Sequence, residues 1–553
     1  MKVLLVAVNA KYIHANPAVY SLRAYAAEYQ ASLEIAEYTI NHTVEAMLAD
    51  LYQRGPQVIA FSCYIWNWRL IGELLEEIPQ ILPGTKLWLG GPEVSYDAPL
   101  VLKQFPQLSG VMVGEGEATF AELMRFYCRG DIELTEVSGI CLPGTGMTGV
   151  RRPLSMDELP FLYEDLQPFA NRIVYYESGR GCPFRCSYCL SSIDKQVRLR
   201  SVELVKRELL VFLEHKVPQV KFVDRTFNCC HEHAMEIWRF IHEHDNGVTN
   251  FHFEISADLL TEEELQLLHA MRPGLVQLEI GVQSTHPATL QAIRRSMQIG
   301  QLRTAVRRLW EGRNIHIHLD LIAGLPMEDY DRFVISFNDV YAMEPDQLQL
   351  GFLKVLKGSE LYEKANDYGI SYRSRAPYEV LYSKWLSYED VLKLKRVEEM
   401  VERYYNSGQF RHTLKELERA FAHPFRMYEE LAAYYEEQGY VINSPARSRR
   451  YEILLAFAVS RDPGRESLYR ELLTFDIYLR EKCKSRPSFA ADRTAYREML
   501  RAREVDKREH VEIFFYPVWE RAPKQRGEAP VFVRFCYEKR DPLSHNAMIT
   551  VGV

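Results

Sequence analysis

Short apolar runs alternate with amphipathic segments along roughly the first 130 residues of this chain. The runs predict five buried strands, namely Lys2–Val8, Leu33–Tyr38, Val58–Tyr64, Lys86–Leu89 and Gly110–Val113. Segments with the helical spacing of apolar residues, such as Thr43–Tyr52 and Leu70–Ile81, lie between these strands. This alternation predicts an α/β domain with a doubly wound parallel sheet. Sheets of this kind bind ligands at the carboxyl ends of their strands.

The same alternation recurs six times in the middle of the chain, between about residues 173 and 357. The predicted strands are Ile173–Glu177, Val220–Asp224, Phe251–Ser256, Val276–Gly281, His316–Ile322 and Leu348–Val355. Helical segments follow these strands, so the pattern predicts an open (β/α)6 barrel, which is a partial TIM barrel. The working face of such a barrel is formed by the carboxyl ends of its strands.

The character of the chain changes after residue 365, where helical periodicity dominates. Two alternating segments near the end, His510–Tyr516 and Val531–Tyr537, are predicted to pair as strands. The pattern therefore predicts a mainly helical C-terminal domain with a small sheet. The predicted organisation is a sheet domain at 1–140, a linker at 141–172, a barrel at 173–365 and a helical domain of unknown role at 366–553.

Composition and charge narrow the class of protein. The 553 residues are 47% hydrophobic and 26% charged, which is typical of a soluble globular protein. A net charge of −8 argues against nucleic acid as a partner. No apolar run approaches the length of a membrane span, and the apolar N-terminus lacks the cleavage site of a signal peptide. Ten cysteines without a secreted framework predict a cytoplasmic protein, and the short apolar runs predict no membrane partner.

Three cysteines carry the strongest chemical signal in the sequence. Cys182, Cys186 and Cys189 have the spacing C-x3-C-x2-C. A short loop of this kind can hold three thiolates on one face of a cubane iron–sulfur cluster and leave one iron open to a ligand. A zinc site would more often need a second cysteine or histidine pair, and disulfide pairing would leave one of the three cysteines over. We therefore predict that these cysteines bind a catalytic cluster.

The run from Gly179 to Cys189, including the aromatic Tyr188, resembles the cluster loop of the radical S-adenosylmethionine (radical SAM) enzymes. The resemblance implies a 4Fe-4S cluster whose open iron binds SAM, with Tyr188 beside it. One electron, from a donor such as flavodoxin or ferredoxin, would then split SAM into methionine and a 5′-deoxyadenosyl radical. Radical SAM enzymes have a (β/α)6 core, so the resemblance and the periodicity predict the same fold.

Three loops of the first domain follow predicted strands and are rich in small residues: Ser62-Cys63-Tyr64, Gly90-Gly91-Pro92-Glu93 and Gly114-Glu115-Gly116-Glu117. Each loop alone is compatible with an ordinary tight turn. Ahead of a radical SAM core, the three together resemble the cobalamin-binding domain of one large radical SAM class. That resemblance implies cobalamin as a cofactor. It also implies that the residues against cobalamin are Ser62, Gly90, Gly91, Gly114 and Glu115.

The first loop departs from the pattern of cobalamin domains in which a histidine ligates cobalt. Those domains carry Asp-x-His-x-x-Gly, whereas residues 9–17 do not match it and His14 is out of place. We expect cobalamin without histidine ligation, and the alternative for His14 is a plain loop histidine. Trp66 is predicted to contact cobalamin, although aromatic residues more often pack in the core or at an interface.

Polar residues close the predicted barrel strands, and two of the runs, Glu-x-Gly-x-Gln-Ser and Asp-Leu-Ile-x-Gly-Leu-Pro, resemble SAM-contacting strands of radical SAM enzymes. The predicted contacts are Asp224, Glu254, Glu279, Gln283 and Asp320. Packing and internal salt bridges are an equal alternative for each of them. Cys229 and Cys230 form either a redox pair or two small packed side chains.

These features predict a cobalamin-dependent radical SAM enzyme that methylates an unactivated carbon of a small-molecule or peptide substrate. One alternative keeps both cofactors but forms rings or rearranges carbon skeletons, and another is a non-catalytic cobalamin-binding module. A methylthiotransferase would need a second cysteine set. Cys63, Cys128 and Cys141 could be nominated, but their flanking sequence does not resemble that pattern. The C-terminal domain is expected to close the barrel mouth.

Overall fold

The computed structural model describes residues 1–441, 444–503, 508–520 and 525–552. The chain forms two compact units. Unit 1 contains residues 1–259, 291–296 and 353–384, and unit 2 contains residues 260–290, 297–352 and 385–553. Among the described residues, no helix is both long enough and apolar enough to cross a lipid bilayer.

Unit 1 begins with a seven-stranded sheet in the order β2-β1-β3-β4-β5-β6-β7. Its strands are β1 (Val3–Asn9), β2 (Leu33–Thr39), β3 (Val58–Ser62), β4 (Lys86–Gly90), β5 (Leu108–Met112), β6 (Ile140–Leu142) and β7 (Gly146–Met147). The first five are parallel, as the apolar runs predicted, and β6 and β7 are antiparallel additions at one edge. Every residue of β1 and β3 is buried, because helices cover both faces of a parallel sheet.

Six helices connect these strands: α1 (Pro17–Tyr25), α2 (Val44–Arg54), α3 (Trp68–Ile81), α4 (Pro92–Ser95), α5 (Ala98–Gln104) and α6 (Glu117–Arg129). Helix α3 buries one apolar stripe, which includes Leu70, Leu74 and Ile78. Burying each of these side chains stabilises the fold by about 1.5–3 kcal/mol. Gly55 follows helix α2 as its C-terminal cap, and its φ of +56° suits glycine.

Strands β6 and β7 lie where the sequence predicted the domain boundary and the start of a linker. Residues 143–145 form the turn between them, with Gly144 at φ +74°. Each strand is three residues or shorter, which is too short for an alternating pattern to be detected. The sheet therefore continues past residue 140.

The rest of unit 1 holds the first half of the second βα series. Its elements are β8 (Val174–Tyr176), β9 (Gly179–Arg180), β10 (Arg198–Leu199), β11 (Gln219–Phe222), β12 (Asn250–Ile255), α7 (Val202–Glu214) and α8 (His231–Glu243). Strand β11 pairs in parallel with both β8 and β12, whereas β9 and β10 form a two-residue antiparallel ladder. Residues 353–384 add a short helix, Glu360–Lys364, and a small hairpin, Ser371–Tyr372 with Val380–Tyr382.

Unit 2 holds the other three strands of that series, β13 (Val276–Gln283), β14 (His316–Ala323) and β15 (Gln347–Phe352), which are parallel neighbours. The alternation along β13 buries Leu278, Ile280 and Val282 on one face and leaves Glu279 and Gln283 half-buried on the other. Alternate residues of a strand point to the same side, so Glu279 and Gln283 share one face of β13.

The remaining helices are α9 (Glu262–Ala270), α10 (Pro287–Ala292), α11 (Ile299–Gly312), α12 (Tyr330–Tyr341), α13 (Tyr388–Met400), α14 (Arg411–Leu417), α15 (Pro424–Glu437), α16 (Arg447–Arg461), α17 (Glu466–Arg480) and α18 (Arg497–Arg501). The last sheet contains β16 (Glu509–Phe514), β17 (Val531–Arg540) and β18 (Ala547–Val551). The predicted pairing is confirmed, because Val511 of β16 lies opposite Arg534 of β17. Strand β18 was not predicted.

Candidate active site

The three motif cysteines share one loop of unit 1, which runs from β9 to β10. Cys182 and Cys186 are buried, Cys189 is half-buried, and all three are free thiols. The ladder that closes the loop pairs Arg180 with Arg198. The chain therefore enters and leaves the loop at one point, and the loop carries all three cysteines.

Backbone contacts hold the loop in this shape. Gly181 has φ +90°, and a Cβ atom there would lie 2.4 Å from the carbonyl oxygen of Gln196, so only glycine fits. The amide of Cys182 donates a hydrogen bond to the carbonyl of Asp194 at 3.2 Å. The Ser192 hydroxyl lies 2.9 Å from the carbonyl oxygen of Cys186 and 2.6 Å from that of Cys189.

An arginine contacts the middle cysteine. Nη1 of Arg295 lies 3.7 Å from Sγ of Cys186 and donates to it. Burial raises the pKa of the Cys186 thiol, and the Arg295 guanidinium opposes that shift. Three free thiols on one loop beside a cation are a suitable donor set for a negatively charged iron–sulfur cluster.

Cys229 and Cys230 are also free and half-buried. Burial raises the pKa of Cys229 to about 11, and the neighbouring Cys182 adds to the shift. Cys229 is therefore a protonated thiol at neutral pH. This state suits packing, and the redox interpretation of this pair stays a prediction.

Asp224 lies beyond the end of β11 and is buried. It accepts hydrogen bonds from the amide and the hydroxyl of Ser178, at 2.9 and 2.7 Å. Burial raises the pKa of Asp224 to about 7, and the two bonds from Ser178 oppose the shift. Because Ser178 lies four positions before Cys182, Asp224 holds the segment that leads into the cluster loop.

Two other predicted contacts in unit 1 have different surroundings. The carboxylate of Glu254, on β12, lies 3.9 Å from the ammonium of Lys221 on β11. Tyr188 is half-buried within the cluster loop, and burial raises the pKa of its phenol. Their contacts with a cofactor stay predictions.

The three glycine- and serine-containing loops follow β3, β4 and β5, and so lie at one edge of the N-terminal sheet. Ser62 accepts a hydrogen bond from the Asn16 side chain at 3.2 Å. Gly91 has φ +106°, and a Cβ atom there would lie 2.6 Å from the Cys63 carbonyl oxygen. Gly114 has φ +83° and is exposed, and a Cβ atom there would meet no other atom within 4 Å. This edge is therefore closely packed at Gly91 and open at Gly114. An open edge at the carboxyl ends of parallel strands can accommodate a bulky cofactor.

Two other predictions concern the same edge. Trp66 is 45% exposed, and its ring stacks on Tyr64 with centroids 4.3 Å apart. This places a flat aromatic surface next to the loop after β3, and its contact with cobalamin stays a prediction. Nδ1 of His14 lies 2.6 Å from the Tyr175 hydroxyl, so this ring nitrogen already has a partner. That contact favours the loop-histidine interpretation.

Unit 1 also contains a cavity of about 300 Å³ beside these loops. Its polar lining includes Tyr64, Glu117, Glu177, Arg180 and Arg225. The lining combines residues of the N-terminal sheet domain, such as Tyr64 and Glu117, with residues next to the cluster loop, such as Glu177 and Arg180.

Unit 2 contributes a polar cluster on β13 and β14. One ligand atom from each of Glu279, His318 and Asp320 lies within 4.8 Å of the others. Glu279 lies opposite His318 in the strand register, and Nε2 of His318 lies 2.9 Å from Oδ1 of Asp320. Such a set can bind hydroxyl or ammonium groups or a divalent cation. Gln283 is the last residue of β13, and its φ is +70°.

Comparison with protein families assigns the first two regions. The B12-binding domain model matches residues 3–124, and the radical SAM superfamily model matches residues 176–340. This chain is a radical SAM protein with a cobalamin-binding domain. A third model, described as a protein of unknown function (DUF4080), matches residues 366–535.

Curated relatives share about half of this chain. It is 27% identical over 290 residues to an uncharacterized methyltransferase of Pyrococcus horikoshii, covering 50% of this chain and 62% of the relative. It is 24% identical over 342 residues to the cobalamin-dependent radical SAM methyltransferase TokK of Streptomyces tokunonensis, covering 57% of this chain and 50% of TokK. An anaerobic magnesium-protoporphyrin IX monomethyl ester cyclase of Rubrivivax gelatinosus is 22% identical, covering 53% of this chain and 55% of the cyclase. The chain thus spans between half and two thirds of the length of these relatives.

Solved structures show the same fold. The cobalamin-dependent radical enzyme OxsB with aqua-cobalamin bound matches with a TM-score of 0.61 at 14% identity, covering 86% of this chain and 80% of OxsB. The methyltransferase TsrM of Kitasatospora setae, with tryptophan and a SAM analogue, matches with a TM-score of 0.56 at 17% identity, covering 68% of this chain and 79% of TsrM. The predicted fold class and family are confirmed.

The sequence did not identify every residue around the site. Arg180, Arg198 and Arg295 lie in or beside the loop region, yet their spacing follows no motif. His318 lies on the same face as Asp320, and the two-residue repeat along β14 could have identified it. The predicted residues are divided between the two units, with Glu279, Gln283 and Asp320 in unit 2 and the others in unit 1.

Proposed function

We propose that this protein is a cobalamin-dependent radical SAM methyltransferase that acts on an unactivated carbon of a small molecule. The observation that carries the proposal is the closed loop with three free thiols, in the same unit as the open, glycine-lined edge of a B12-binding domain. Methyltransferases are among the relatives and the structural neighbours. Because the aligned part covers 50–62% of those two relatives, the activity is proposed for the shared region.

Each cofactor has a proposed set of residues. Cys182, Cys186 and Cys189 would hold a 4Fe-4S cluster. Ser62, Gly90, Gly91 and Gly114 would lie against cobalamin, and the barrel residues predicted above would contact SAM. When bound, the cluster would supply the electron that cleaves SAM to a 5′-deoxyadenosyl radical, and cobalamin would supply the methyl group.

The protein itself would orient these groups and limit the access of water. Cys182 and Cys186 are buried, so two of the three sulfur ligands would be shielded from solvent. Asp224 would keep the loop start in place through Ser178. A carboxyl with a pKa of about 7 would hold its proton for part of the time at neutral pH.

The proposal is tested by anaerobic reconstitution with iron, sulfide and cobalamin, followed by SAM and dithionite. We expect 5′-deoxyadenosine above the amount from a variant with all three cysteines replaced by alanine. SAM labelled in its methyl group should then transfer label to a component of a small-molecule extract. Absence of the nucleoside above the control would leave only a cobalamin-binding module.

Ring formation without methyl transfer is a second candidate function. It is favoured by the similarity to anaerobic magnesium-protoporphyrin IX monomethyl ester cyclases, which are 21–22% identical to this chain. The labelling experiment separates the two candidates. A cyclase would form 5′-deoxyadenosine but would leave no methyl label in the product.

The substrate and the partners complete the proposal. The structural neighbour TsrM has tryptophan bound as its substrate, which supports a small-molecule substrate here. A flavodoxin or a ferredoxin would deliver the electron, and the reaction would take place in the cytoplasm. Residues 366–553 would close the barrel mouth and select the substrate. Replacing dithionite with reduced flavodoxin should sustain SAM cleavage.

A further inference from the structure

Two arginines lie directly opposite each other in the ladder that closes the cluster loop. Arg180 is the register partner of Arg198, and the ladder between β9 and β10 has only two residue pairs. Like charges that face each other across antiparallel strands repel and destabilise the pairing. By itself, this ladder would therefore tend to open, and the loop with Cys182, Cys186 and Cys189 would open with it.

Carboxylates of the N-terminal sheet domain neutralise both arginines. Nη2 of Arg180 lies 2.6 Å from Oε1 of Glu117, and its Nη1 lies 3.3 Å from Oε2 of Glu115. Glu115 also forms an ion pair with Arg198. Glu115 thus bridges the two repelling arginines, and Glu117 holds one of them.

This network is shielded from solvent. The Glu117 side chain is 6% exposed, that of Arg198 12%, that of Arg180 17% and that of Glu115 24%. Burial raises the pKa of Glu117, but the Arg180 guanidinium outweighs it and holds the pKa below its usual value. Glu117 and Arg180 are therefore both charged, and removing either one would leave the other as a shielded charge without this partner of opposite sign.

We propose that Glu115 and Glu117 are positioning residues that keep the cluster loop closed by neutralising Arg180 and Arg198. The N-terminal domain would thereby control how firmly the loop retains its cluster. The inference rests on the proposed function only in assuming that the loop holds a cluster. It gives Glu115 a role that differs from the cofactor contact predicted from the sequence.

Some contacts of the two arginines would survive loss of the glutamates. Arg180 also pairs with Glu177 at 2.9 Å, and Arg198 pairs with Asp194 at 3.3 Å. Glu177 lies just before β9, and Asp194 lies within the loop. The loop should therefore be loosened and not destroyed when the glutamates are replaced.

The experiment compares iron release from reconstituted proteins without SAM. The E115Q/E117Q variant is challenged with an iron chelator, and loss of the cluster absorbance is followed over time. We expect release about tenfold faster than in the wild type, equivalent to about 1.4 kcal/mol in activation free energy. The matched control is Glu37→Gln, which breaks the Arg172–Glu37 pair of 2.7 Å, where both side chains are 13% exposed. Because this pair involves no residue of the cluster loop or its ladder, the control should release iron within about twofold of the wild-type rate.

A rescue variant separates positioning from simple destabilisation. In E117Q the Arg180 guanidinium lacks its closest partner, so the added change Arg180→Gln should slow iron release again, whereas a merely structural loss would make it faster. The inference is overturned if E115Q/E117Q behaves like the Glu37→Gln control, or if the double change E117Q/R180Q releases iron faster than E117Q. Circular dichroism checks folding, and E115Q alone serves if the double variant does not fold. A wild-type protein that assembles no cluster would instead contradict the proposed function.

Discussion

The cluster loop and the C-terminal region contrast in how their polar residues are brought together. In the loop, the three predicted cluster ligands lie within eight consecutive residues. In unit 2, a cavity of about 360 Å³ is lined by residues that are far apart in sequence, including Trp310, Asp346, Tyr405, His412 and Asn546. The loop's chemistry can therefore be inferred from spacing, whereas the cavity exists only after helices and loops have packed.

The C-terminal region nevertheless contains a hydrogen-bonded polar cluster around Asp476. Asp476 is 2% exposed and accepts hydrogen bonds from the amide and the hydroxyl of Thr413, at 3.0 and 2.7 Å. It also accepts one from Nδ1 of His412 at 2.8 Å. Because 63 positions separate Asp476 from Thr413, no motif indicates this contact. The local spacing of residues therefore indicates the chemistry of a site, whereas helical periodicity indicates only which side chains are buried.

The largest effect should come from the cluster ligands. Replacing Cys182, Cys186 and Cys189 with alanine should reduce bound iron from about four per chain to background, because no thiolate remains on the loop. Iron analysis and visible absorbance after anaerobic reconstitution measure this. The exposed Cys128, replaced with alanine as a control, should leave the iron content unchanged. Iron retained by the triple variant would show that these three cysteines do not bind the cluster.

The next largest effect should come from replacing one glycine in each region with alanine and comparing the losses of stability. Gly181→Ala should lower the free energy of unfolding of the loop by about 3 kcal/mol and reduce cluster occupancy, because of the strained φ and the backbone clash. Gly439 has φ +70° but no atom near its Cβ position, so Gly439→Ala should cost only about 1 kcal/mol. Thermal unfolding and iron content of both variants test this. Equal losses at the two sites would show that the loop is not specially constrained.

Stability of unit 2 should depend on pH through Glu328. Its carboxylate accepts hydrogen bonds of 2.7 Å from Ser284 and Ser336, and burial raises its pKa to about 7. An unfolded glutamate titrates near pH 4.3, so the folded state favours the proton. The resulting stabilisation is full below about pH 4.3 and falls as the pH rises to about 7, by on the order of 3 kcal/mol.

Unfolding measured between pH 5 and pH 8 tests this dependence. The Glu328→Gln variant should lose less stability over that range than the wild type, because glutamine does not titrate. Identical slopes for the two proteins would show that Glu328 is not the titrating group.

The smallest effect concerns the C-terminal cluster. Asp476→Asn should lower the free energy of unfolding by about 2 kcal/mol, because one amide oxygen cannot accept all the hydrogen bonds of the carboxylate. Iron content of the reconstituted protein should stay unchanged, which distinguishes this region from the cluster loop. Denaturant unfolding and iron analysis measure both properties. Loss of iron in this variant would show that the two regions are coupled.

The sequence by itself determined the βα alternation, the cluster motif and the small residues at the strand ends. These features are local, since a strand, a turn or a three-thiolate loop is defined by residues within about ten positions. The pairing of Val531–Arg540 with Glu509–Phe514 was also predictable, because both strands alternate. Strands such as Ile140–Leu142 were missed because three residues carry too weak a pattern.

Only the tertiary structure decided which charges meet. Glu117 and Arg180 are 63 positions apart, and Arg295 reaches Cys186 across 109 positions. It also decided that the barrel strands divide between two compact units, and that Glu115 faces two arginines. Ion pairs and cavities depend on distances in space, and a linear pattern of polar residues does not contain those distances until the chain has packed.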